Sequence, residues 1–152
     1  MRNEERVDIL VVEDNDSERA SIVEALKASI LDVNLLDVSD GEQALDYLFR
    51  RGAWKDCAPS EPPKLVLLDL AMPGADGFSV LGHVRALERE DEAITVTPVV
   101  IFTDSQAQAD VLKSYRCGAN SYIMKPVSFP DFQAVVEAVG QYWVTHNQVG
   151  AN

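Results

Sequence analysis

Cysteine and histidine are scarce in this sequence, and their spacing excludes common metal sites. The 152 residues include two cysteines, Cys57 and Cys117, with no second pair to complete a zinc knuckle. We therefore expect two reduced thiols in a cytoplasmic protein. His83 and His146 also stand alone, and we interpret both as surface residues.

Basic charge is also in short supply. Thirteen Lys and Arg residues stand against 25 Asp and Glu residues, which gives a formal net charge of -12. Such a surface repels phosphate backbones, and no run of Lys and Arg forms a basic patch, so we expect no nucleic-acid binding. Solubility is the simplest reason for the acidity, and a role in partner choice is the alternative.

Long apolar runs are missing as well. No stretch approaches the roughly 20 residues that a membrane-spanning helix requires. The N-terminal residues Met-Arg-Asn-Glu-Glu-Arg lack the apolar segment of a signal peptide. We expect a cytoplasmic protein without membrane association, and a chain of this length fits one domain.

Short apolar runs alternate along the chain with longer segments of helical periodicity. The predicted strands are residues 7–12, 33–38, 64–69, 98–102 and 121–124. Between them apolar residues recur three or four positions apart, as in Ile22, Leu26 and Ile30. Five such βα units predict an α/β fold, a doubly wound parallel sheet with helices on both faces.

Local signals predict how several helices begin and end. The predicted N-caps are Asn15 or Asp16 for the first helix, Ser39 with Glu42 three residues later for the second, and Ser105 for the fourth. The fourth helix is expected to bury Val111, Leu112 and Tyr115 and to close at Gly118. Residues 88–92 are predicted as a charged helix end and loop.

Polar residues end four of the five predicted strands. Glu13-Asp14 follows the first strand, and Asp69, Thr103 and Lys125-Pro126 follow the third, fourth and fifth. Ligands of doubly wound sheets bind at the carboxyl ends of the strands, so these side chains are expected to converge. Three carboxylates held together repel one another, and a hard divalent cation such as Mg²⁺ resolves that repulsion.

The same residues supply the parts that phosphoryl transfer requires. A carboxylate such as Asp69 can act as the nucleophile and form an acyl phosphate. Thr103 can hydrogen-bond a phosphoryl oxygen, and Lys125 can neutralise its charge.

Together these residues resemble the receiver domains of two-component response regulators. The resemblance covers about residues 7–143 and is carried by Glu13-Asp14, Asp69, Met72-Pro73-Gly74-Ala75-Asp76-Gly77, Thr103 and Lys125-Pro126. It implies a flavodoxin-like, CheY-like fold with five parallel strands in the order 2-1-3-4-5. We expect one receiver domain over residues 1–152 and no output domain, since nine residues follow Trp143.

The resemblance also implies a role for each site residue. Asp69 would be phosphorylated, and Asp14, Asp69 and the backbone carbonyl of Ala71 would bind Mg²⁺, or Mn²⁺ or Ca²⁺ in its place. Glu13 would reach the ion through water. Lys125 would pair with the phosphoryl group, and the Lys125–Pro126 bond is usually cis in this family.

The implied switch residues are Thr103 and Tyr122. For Tyr122 the alternative interpretation is an ordinary half-buried strand aromatic. The phosphoryl donor would be a sensor histidine kinase or a histidine phosphotransfer protein. The chain would catalyse only its own phosphorylation and dephosphorylation, and so would not be an enzyme in the usual sense. Its phosphorylated form would change a partner surface near the fourth helix and fifth strand.

Two further segments resemble single-domain regulators that are paired with phytochrome-type kinases. One is the long loop from Arg51-Gly52-Ala53-Trp54 to Pro63, and the other is Gln141-Tyr142-Trp143. In that branch these aromatic residues support a homodimer. The alternatives are loop packing for Trp54 and capping of the core for Tyr142 and Trp143.

Other functions on this topology lack their key residues. A phosphatase would want a second aspartate two residues after Asp69, where the chain has Ala71, and a flavin carrier would want a Ser/Thr/Gly-rich loop in place of Asp14-Asn15-Asp16. A degenerate receiver would have lost one of the implied site residues. The small Ala71 and Ser105 predict dephosphorylation without side-chain assistance, and Asp104 is expected to repel the phosphoryl donor.

Overall fold

The computed structural model describes residues 6–56, 61–72, 74–90 and 96–150. Within these residues five strands form one parallel sheet in the order β2-β1-β3-β4-β5. The strands are β1 Ile9–Val12, β2 Leu35–Val38, β3 Leu65–Leu68, β4 Val99–Thr103 and β5 Ser121–Met124. The predicted doubly wound α/β fold and its strand order 2-1-3-4-5 are confirmed.

The helices alternate with the strands along the chain. They are α1 Asp16–Ser29, α2 Gly41–Leu48, α3 Gly77–Glu90, α4 Gln108–Arg116 and α5 Phe129–Gly140. A 3₁₀ turn, Gly52–Trp54, lies in the loop before β3, and a π-helical turn, Gln141–His146, continues α5. None of the helices in the described ranges combines the length and apolar character needed to cross a bilayer.

The two faces of the sheet bury separate sets of side chains. Successive residues of a strand point to opposite faces, so Leu10 and Val12 pack with α2 and α3. Ile9 and Val11 pack with α1 and α5 on the other face. Every residue of β1, β3 and β4 is buried. This burial on both faces explains why these three strands are continuous apolar runs.

Two of the predicted helix caps are wrong by one or two residues, and one is right. Asn15 caps α1, since its Oδ1 accepts from the Glu18 N–H at 2.9 Å. The cap of α2 is Asp40 and not Ser39, because Asp40 remains extended and its Oδ1 accepts from the Gln43 N–H at 2.8 Å. Because the cap lies one residue later than predicted, the backbone N–H that it accepts from is also one residue later.

The fourth helix differs most from its prediction. Ala107 is its N-cap, and the Ser105 hydroxyl instead lies 2.5 Å from Asp110 Oδ2. Leu112 and Tyr115 are 50% and 49% exposed, whereas Ser114 is buried. The predicted apolar face of α4 stays partly exposed to solvent because this helix packs mainly on β5, the edge strand. The predicted closure at Gly118 is consistent with its left-handed φ of 104°.

An ion pair in α3 was not expected from the charged sequence around Glu88. Arg85 Nη1 lies 2.8 Å from Glu88 Oε2, and both side chains are largely buried. Arg85 Nε also donates to Gly118 O at 2.9 Å, and its Nη2 donates to Asn120 Oδ1 at 2.8 Å. Arg85 therefore joins α3 to the segment that leads into β5. Of residues 88–92, predicted as a charged helix end and loop, residues 88–90 form the end of α3, and residues 91 and 92 lie outside the described residues.

The aromatic residues of the two segments that resemble phytochrome-paired regulators pack in different ways. Trp54 contacts Tyr47 edge-on, with ring centroids 5.0 Å apart, which favours the loop-packing alternative. Trp143 packs against the core beneath α1 and α5, as the capping alternative proposed. Tyr142 contacts the Trp143 ring edge-on but is half exposed.

Smaller expectations have mixed outcomes. His83 and His146 are exposed as predicted, and Cys117 is a free, half-buried thiol. Cys57 and Pro73 lie outside the described residues. No peptide bond in the described ranges is cis, so Lys125–Pro126 is trans and differs from the isomer that the resemblance implied.

Two glycines of α3 provide a test of backbone packing near the site. A Cβ on Gly77 would lie 2.4 Å from Asp69 O and 2.8 Å from Leu70 Cα, whereas a Cβ on Gly82 would have no atom within 4 Å. We expect Gly77→Ala to lower the free energy of unfolding by about 1–3 kcal/mol through overpacking. Gly82→Ala should raise it by about 0.5–1 kcal/mol through helix propensity.

Urea unfolding followed by circular dichroism measures both changes. The two variants add the same methyl group to the same helix, so each is the control for the other. Equal stability of Gly77→Ala and Gly82→Ala would show that the backbone approach at Gly77 is not constraining.

Candidate functional site

The candidate site lies at the carboxyl edge of the sheet, defined here by Glu13, Asp69, Thr103 and Lys125. The register pairs Val12 with Leu68, so Glu13 and Asp69 leave β1 and β3 side by side. Backbone pairing continues past the strands, since Asp69 N donates to Val12 O at 3.1 Å and Lys125 N donates to Thr103 O at 2.7 Å. The sheet thus holds the backbone of these residues in place.

Three carboxylates meet at this edge, as the sequence predicted. Glu13, Asp14 and Asp69 each place an oxygen within 4.8 Å of the other two. Glu13 and Asp69 are only 2% and 6% exposed, whereas Asp14 is exposed. Oxygen ligands at this separation, open to solvent on one side, suit a hard divalent cation that keeps part of its water shell.

The ammonium group of Lys125 is surrounded by carboxylates. Its Nζ donates to Glu13 Oε1 at 2.6 Å, to Glu18 Oε1 at 2.9 Å and to Asp69 Oδ2 at 3.1 Å. The contacts with Glu13 and Asp69 unite residues that the sequence analysis placed together. Glu18 was missed, although its position on the first turn of a helix that begins at the site could have indicated it.

Burial and hydrogen bonding shift the pKa values of Glu13 and Lys125 in opposite directions. Burial raises the pKa of Glu13 from 4.5 to about 7, although hydrogen bonds from Lys125 and from the Asn15 N–H lower it. Burial lowers the pKa of Lys125, but hydrogen bonds to Glu13 and Glu18 and the charge of Asp69 outweigh it and leave the pKa above its ordinary value. Lys125 therefore stays charged at neutral pH.

The two predicted switch residues meet at Ser105 in the loop after β4. Thr103 is buried, and its Oγ1 has a long contact of 3.5 Å with the Ser105 N–H. Tyr122 is half-buried, and its hydroxyl donates to Ser105 O at 2.9 Å. The side chain of Thr103 has no hydrogen bond to the site carboxylates or to the Lys125 ammonium within the described chain. Thr103 lies at the site because it ends β4. Tyr122 is linked to the site through its hydrogen bond to Ser105 in the loop after β4.

Ala71 and Asp104 lie at the rim of the site. Ala71 is exposed, and its N–H points at Asp69 Oδ1 across 3.4 Å, so the residue is next to the carboxylate as expected. The role of its backbone carbonyl as a ligand stays a prediction. Asp104 is exposed and lines a groove of about 410 Å³ that also reaches Glu18, Lys125 and Phe129.

Comparison with known proteins decides the family. The family described as the response regulator receiver domain matches residues 9–137. This chain is a response regulator receiver domain. The resemblance seen in the sequence is therefore confirmed, and with it the assignment to two-component signalling.

The receiver domain is similar to proteins from archaea and cyanobacteria. It is 35% identical to the probable methanogenesis regulatory protein FilR2 of Methanothrix harundinacea, over 92% of this chain and 85% of that one. It is 32% identical to the response regulator Rcp1 of Synechocystis, over 90% and 88% of the two chains. The Mn²⁺-bound structure of Rcp1 has a TM-score of 0.80, with 31% identity over 94% and 98%.

The similarity extends to a phosphorylated structure. The phosphorylated cyanobacterial phytochrome response regulator RcpA has a TM-score of 0.82 and 29% identity, over 94% of this chain and 97% of that one. The fold of this receiver domain is thus that of regulators described as phytochrome-associated.

The raised pKa of Glu13 predicts a pH dependence for the metal-free receiver domain. The fold disfavours the ionised Glu13, so the stability it contributes is complete below its unfolded pKa and is lost as the pH rises through about 7. In EDTA, the free energy of unfolding should fall by on the order of 1–3 kcal/mol between pH 5 and pH 8 relative to Glu13→Gln.

Urea unfolding of both proteins at several pH values between 5 and 8 measures this difference. Glu13→Gln is matched in size and does not titrate, so the pH dependence of the other groups cancels. Its amide cannot accept from both Lys125 and the Asn15 N–H as Glu13 does, but that loss does not vary with pH. A difference that is constant across the pH range would mean that Glu13 has an ordinary pKa in the fold.

Proposed function

We propose that this receiver domain accepts a phosphoryl group from a sensor histidine kinase on Asp69, in a reaction that requires a divalent cation. The convergence of Glu13, Asp14 and Asp69 with the Lys125 ammonium carries the proposal. Glu13 and Asp69 both belong to the oxygen cluster and contact Lys125. Of these two, Asp69 follows the central strand β3.

The carboxylate cluster fits Mg²⁺, with Mn²⁺ or Ca²⁺ as substitutes. Asp14, Asp69 and the backbone carbonyl of Ala71 are the expected ligands, and Glu13 is expected to act through water. The Mn²⁺ in the Rcp1 structure supports a divalent cation in this family. When bound, the cation neutralises carboxylate charge and draws phosphoryl oxygens to the site.

The transfer itself needs one nucleophile and no proton acceptor. An Asp69 carboxylate oxygen attacks the phosphorus of a phosphohistidine, and the new O–P bond forms as the P–N bond breaks. The electron pair of that bond leaves with the imidazole nitrogen of the kinase. Lys125 offsets the phosphoryl charge, and Thr103 can donate its hydroxyl to a phosphoryl oxygen.

Loss of the phosphoryl group returns the protein to its starting state. Water attacks the phosphorus, the O–P bond to Asp69 breaks, and inorganic phosphate leaves. Ala71 and Ser105 carry no group that could take a proton from this water at neutral pH. The chain is therefore proposed to modify only itself, as a signalling switch and not as an enzyme with turnover.

The signal is proposed to pass through the loop after β4. Thr103, when it turns toward the phosphoryl group, moves Ser105, which is held by the Tyr122 hydroxyl at its carbonyl. This couples the site to α4 and β5, where Leu112 and Met124 are exposed. Phosphorylation would shift the population between two arrangements of this surface and so change which protein partners bind it.

The similarity to RcpA and Rcp1 supports a phytochrome-type kinase as the phosphoryl donor. A homodimer is also proposed, because several large apolar side chains near α5 are exposed. These are Val127, Phe129 and Tyr142. An isologous contact between two copies would remove them from water.

Phosphorylation of Asp69 can be tested with acetyl phosphate. We expect the wild-type protein to gain the mass of one phosphoryl group in the presence of Mg²⁺ and to gain none in EDTA. Asp69→Asn should gain none under either condition, because its amide is not a nucleophile. Intact-protein mass spectrometry makes the measurement.

The same experiment separates the alternatives. Release of inorganic phosphate over many turnovers without labelled protein would indicate a phosphatase. Absence of any reaction in the folded wild-type protein would indicate a degenerate receiver. Labelling of Asp69→Asn would show that Asp69 is not the acceptor.

Self-association can be tested at Phe129. We expect multi-angle light scattering to give the mass of two chains for the wild-type protein and of one chain for Phe129→Ser. Leu31→Ser is the matched control, because Leu31 is also exposed but lies beyond the C-terminal end of α1. A single-chain mass for the wild-type protein, with and without phosphorylation, would contradict the homodimer.

A further inference from the structure

The contacts of Lys125 leave no donor free for an incoming group. An ammonium has three N–H donors, and in the described part of the chain three carboxylates accept from it. Two of them, Glu13 and Asp69, belong to the oxygen cluster that would hold a divalent cation. The third, Glu18, stands outside that cluster.

The helix cap explains why Glu18 is available for this contact. Glu18 is the third residue of α1, the position from which a glutamate often reaches back to the backbone N–H of the N-cap residue. Here the Asn15 N–H donates to Glu13 Oε2 at 3.1 Å. Glu18 is thereby released from capping, and its two oxygens lie 2.9 and 3.4 Å from Lys125 Nζ.

We propose that Glu18 is a positioning residue that holds Lys125 in the unphosphorylated state and competes with the phosphoryl group for its ammonium. This role rests on the proposed phosphorylation of Asp69. A phosphoryl oxygen that binds Lys125 must displace one of its three partners. The side chains of Glu13 and Asp69 are buried in the site, whereas Glu18 is the most exposed of the three, so Glu18 is the carboxylate whose bond is given up.

The exposure of Glu18 suits a contact that breaks and re-forms. Its side chain is 27% exposed at the groove, whereas that of Glu13 is almost fully buried. Water can reach a released Glu18 carboxylate, so its charge is not left buried without a partner. The unphosphorylated arrangement is therefore stabilised by a pair that the phosphoryl group can displace.

Fluoroberyllate, a non-covalent analogue of the phosphoryl group, measures the competition at equilibrium. In the presence of Mg²⁺, ¹⁹F NMR titration of the full chain gives its dissociation constant. For Glu18→Gln we expect a dissociation constant about 2- to 5-fold lower than that of the wild-type protein, the upper part of the range for loss of one partly exposed ion pair. The rate of labelling by acetyl phosphate should rise in parallel.

Two variants distinguish the effect of the contact between Glu18 and Lys125 from the effect of negative charge in the groove. Glu18→Asp keeps the charge but shortens the side chain, so it should behave like Glu18→Gln if the contact with Lys125 matters. Asp104→Asn removes one charge from the same groove without touching Lys125. It should change the dissociation constant by less than about 2-fold, and high salt should abolish that change.

A readout without phosphoryl chemistry tests the contact itself. In metal-free protein labelled with ¹⁵N at lysine side chains, the Lys125 Nζ resonance should shift in Glu18→Gln and Glu18→Asp. It should stay in place in Asp104→Asn. Urea unfolding confirms that each variant is folded, since Glu18 also lies in the first turn of α1.

The outcomes distinguish this role from the function on which it rests. A wild-type protein that takes neither acetyl phosphate nor fluoroberyllate overturns the phosphoacceptor function, and the competition with it. If the wild-type protein takes both and Glu18→Gln binds fluoroberyllate equally or more weakly, the role of Glu18 alone is wrong. The same holds if Glu18→Asp matches the wild-type protein or Asp104→Asn matches Glu18→Gln.

Discussion

The ammonium of Lys125 lies among the carboxylates of Glu13, Glu18 and Asp69, and the candidate site depends on this balance of charge. Without a cation, burial disfavours the ionised form of Glu13 and repulsion from the Asp69 carboxylate adds to this effect, so the pKa of Glu13 is raised. Lys125 offsets that repulsion in the metal-free protein. The same lysine is proposed to serve the phosphoryl group, so one side chain has a structural and a chemical role.

The rest of the fold holds these side chains at one edge. Burial of β1, β3 and β4 on both faces keeps the sheet in one register, which brings Glu13 beside Asp69. At the other end of the sheet, Arg85 joins α3 to the residues before β5. The strand that carries Lys125 is thereby anchored at its beginning as well as at its end.

The fold was largely predictable because each strand is a short apolar run between periodic segments. The order of polar residues at strand ends was sufficient to place Glu13, Asp69 and Lys125 together. The predictions failed where one residue of shift changes the partner, as at the Asp40 cap, and where tertiary packing left a stripe uncovered, as on α4. Periodicity identifies an apolar face but not whether another element covers it.

The sequence by itself determined the strand pattern, the family and the identity of the residues at the carboxyl edge, because these follow from residue type and spacing. Only the tertiary structure decided which carboxylates share Lys125. That choice depends on the Asn15 N–H, which binds Glu13 and leaves Glu18 free to reach a residue more than 100 positions away. Such a contact leaves no periodic signal, since it joins the first turn of α1 to the residue that follows β5.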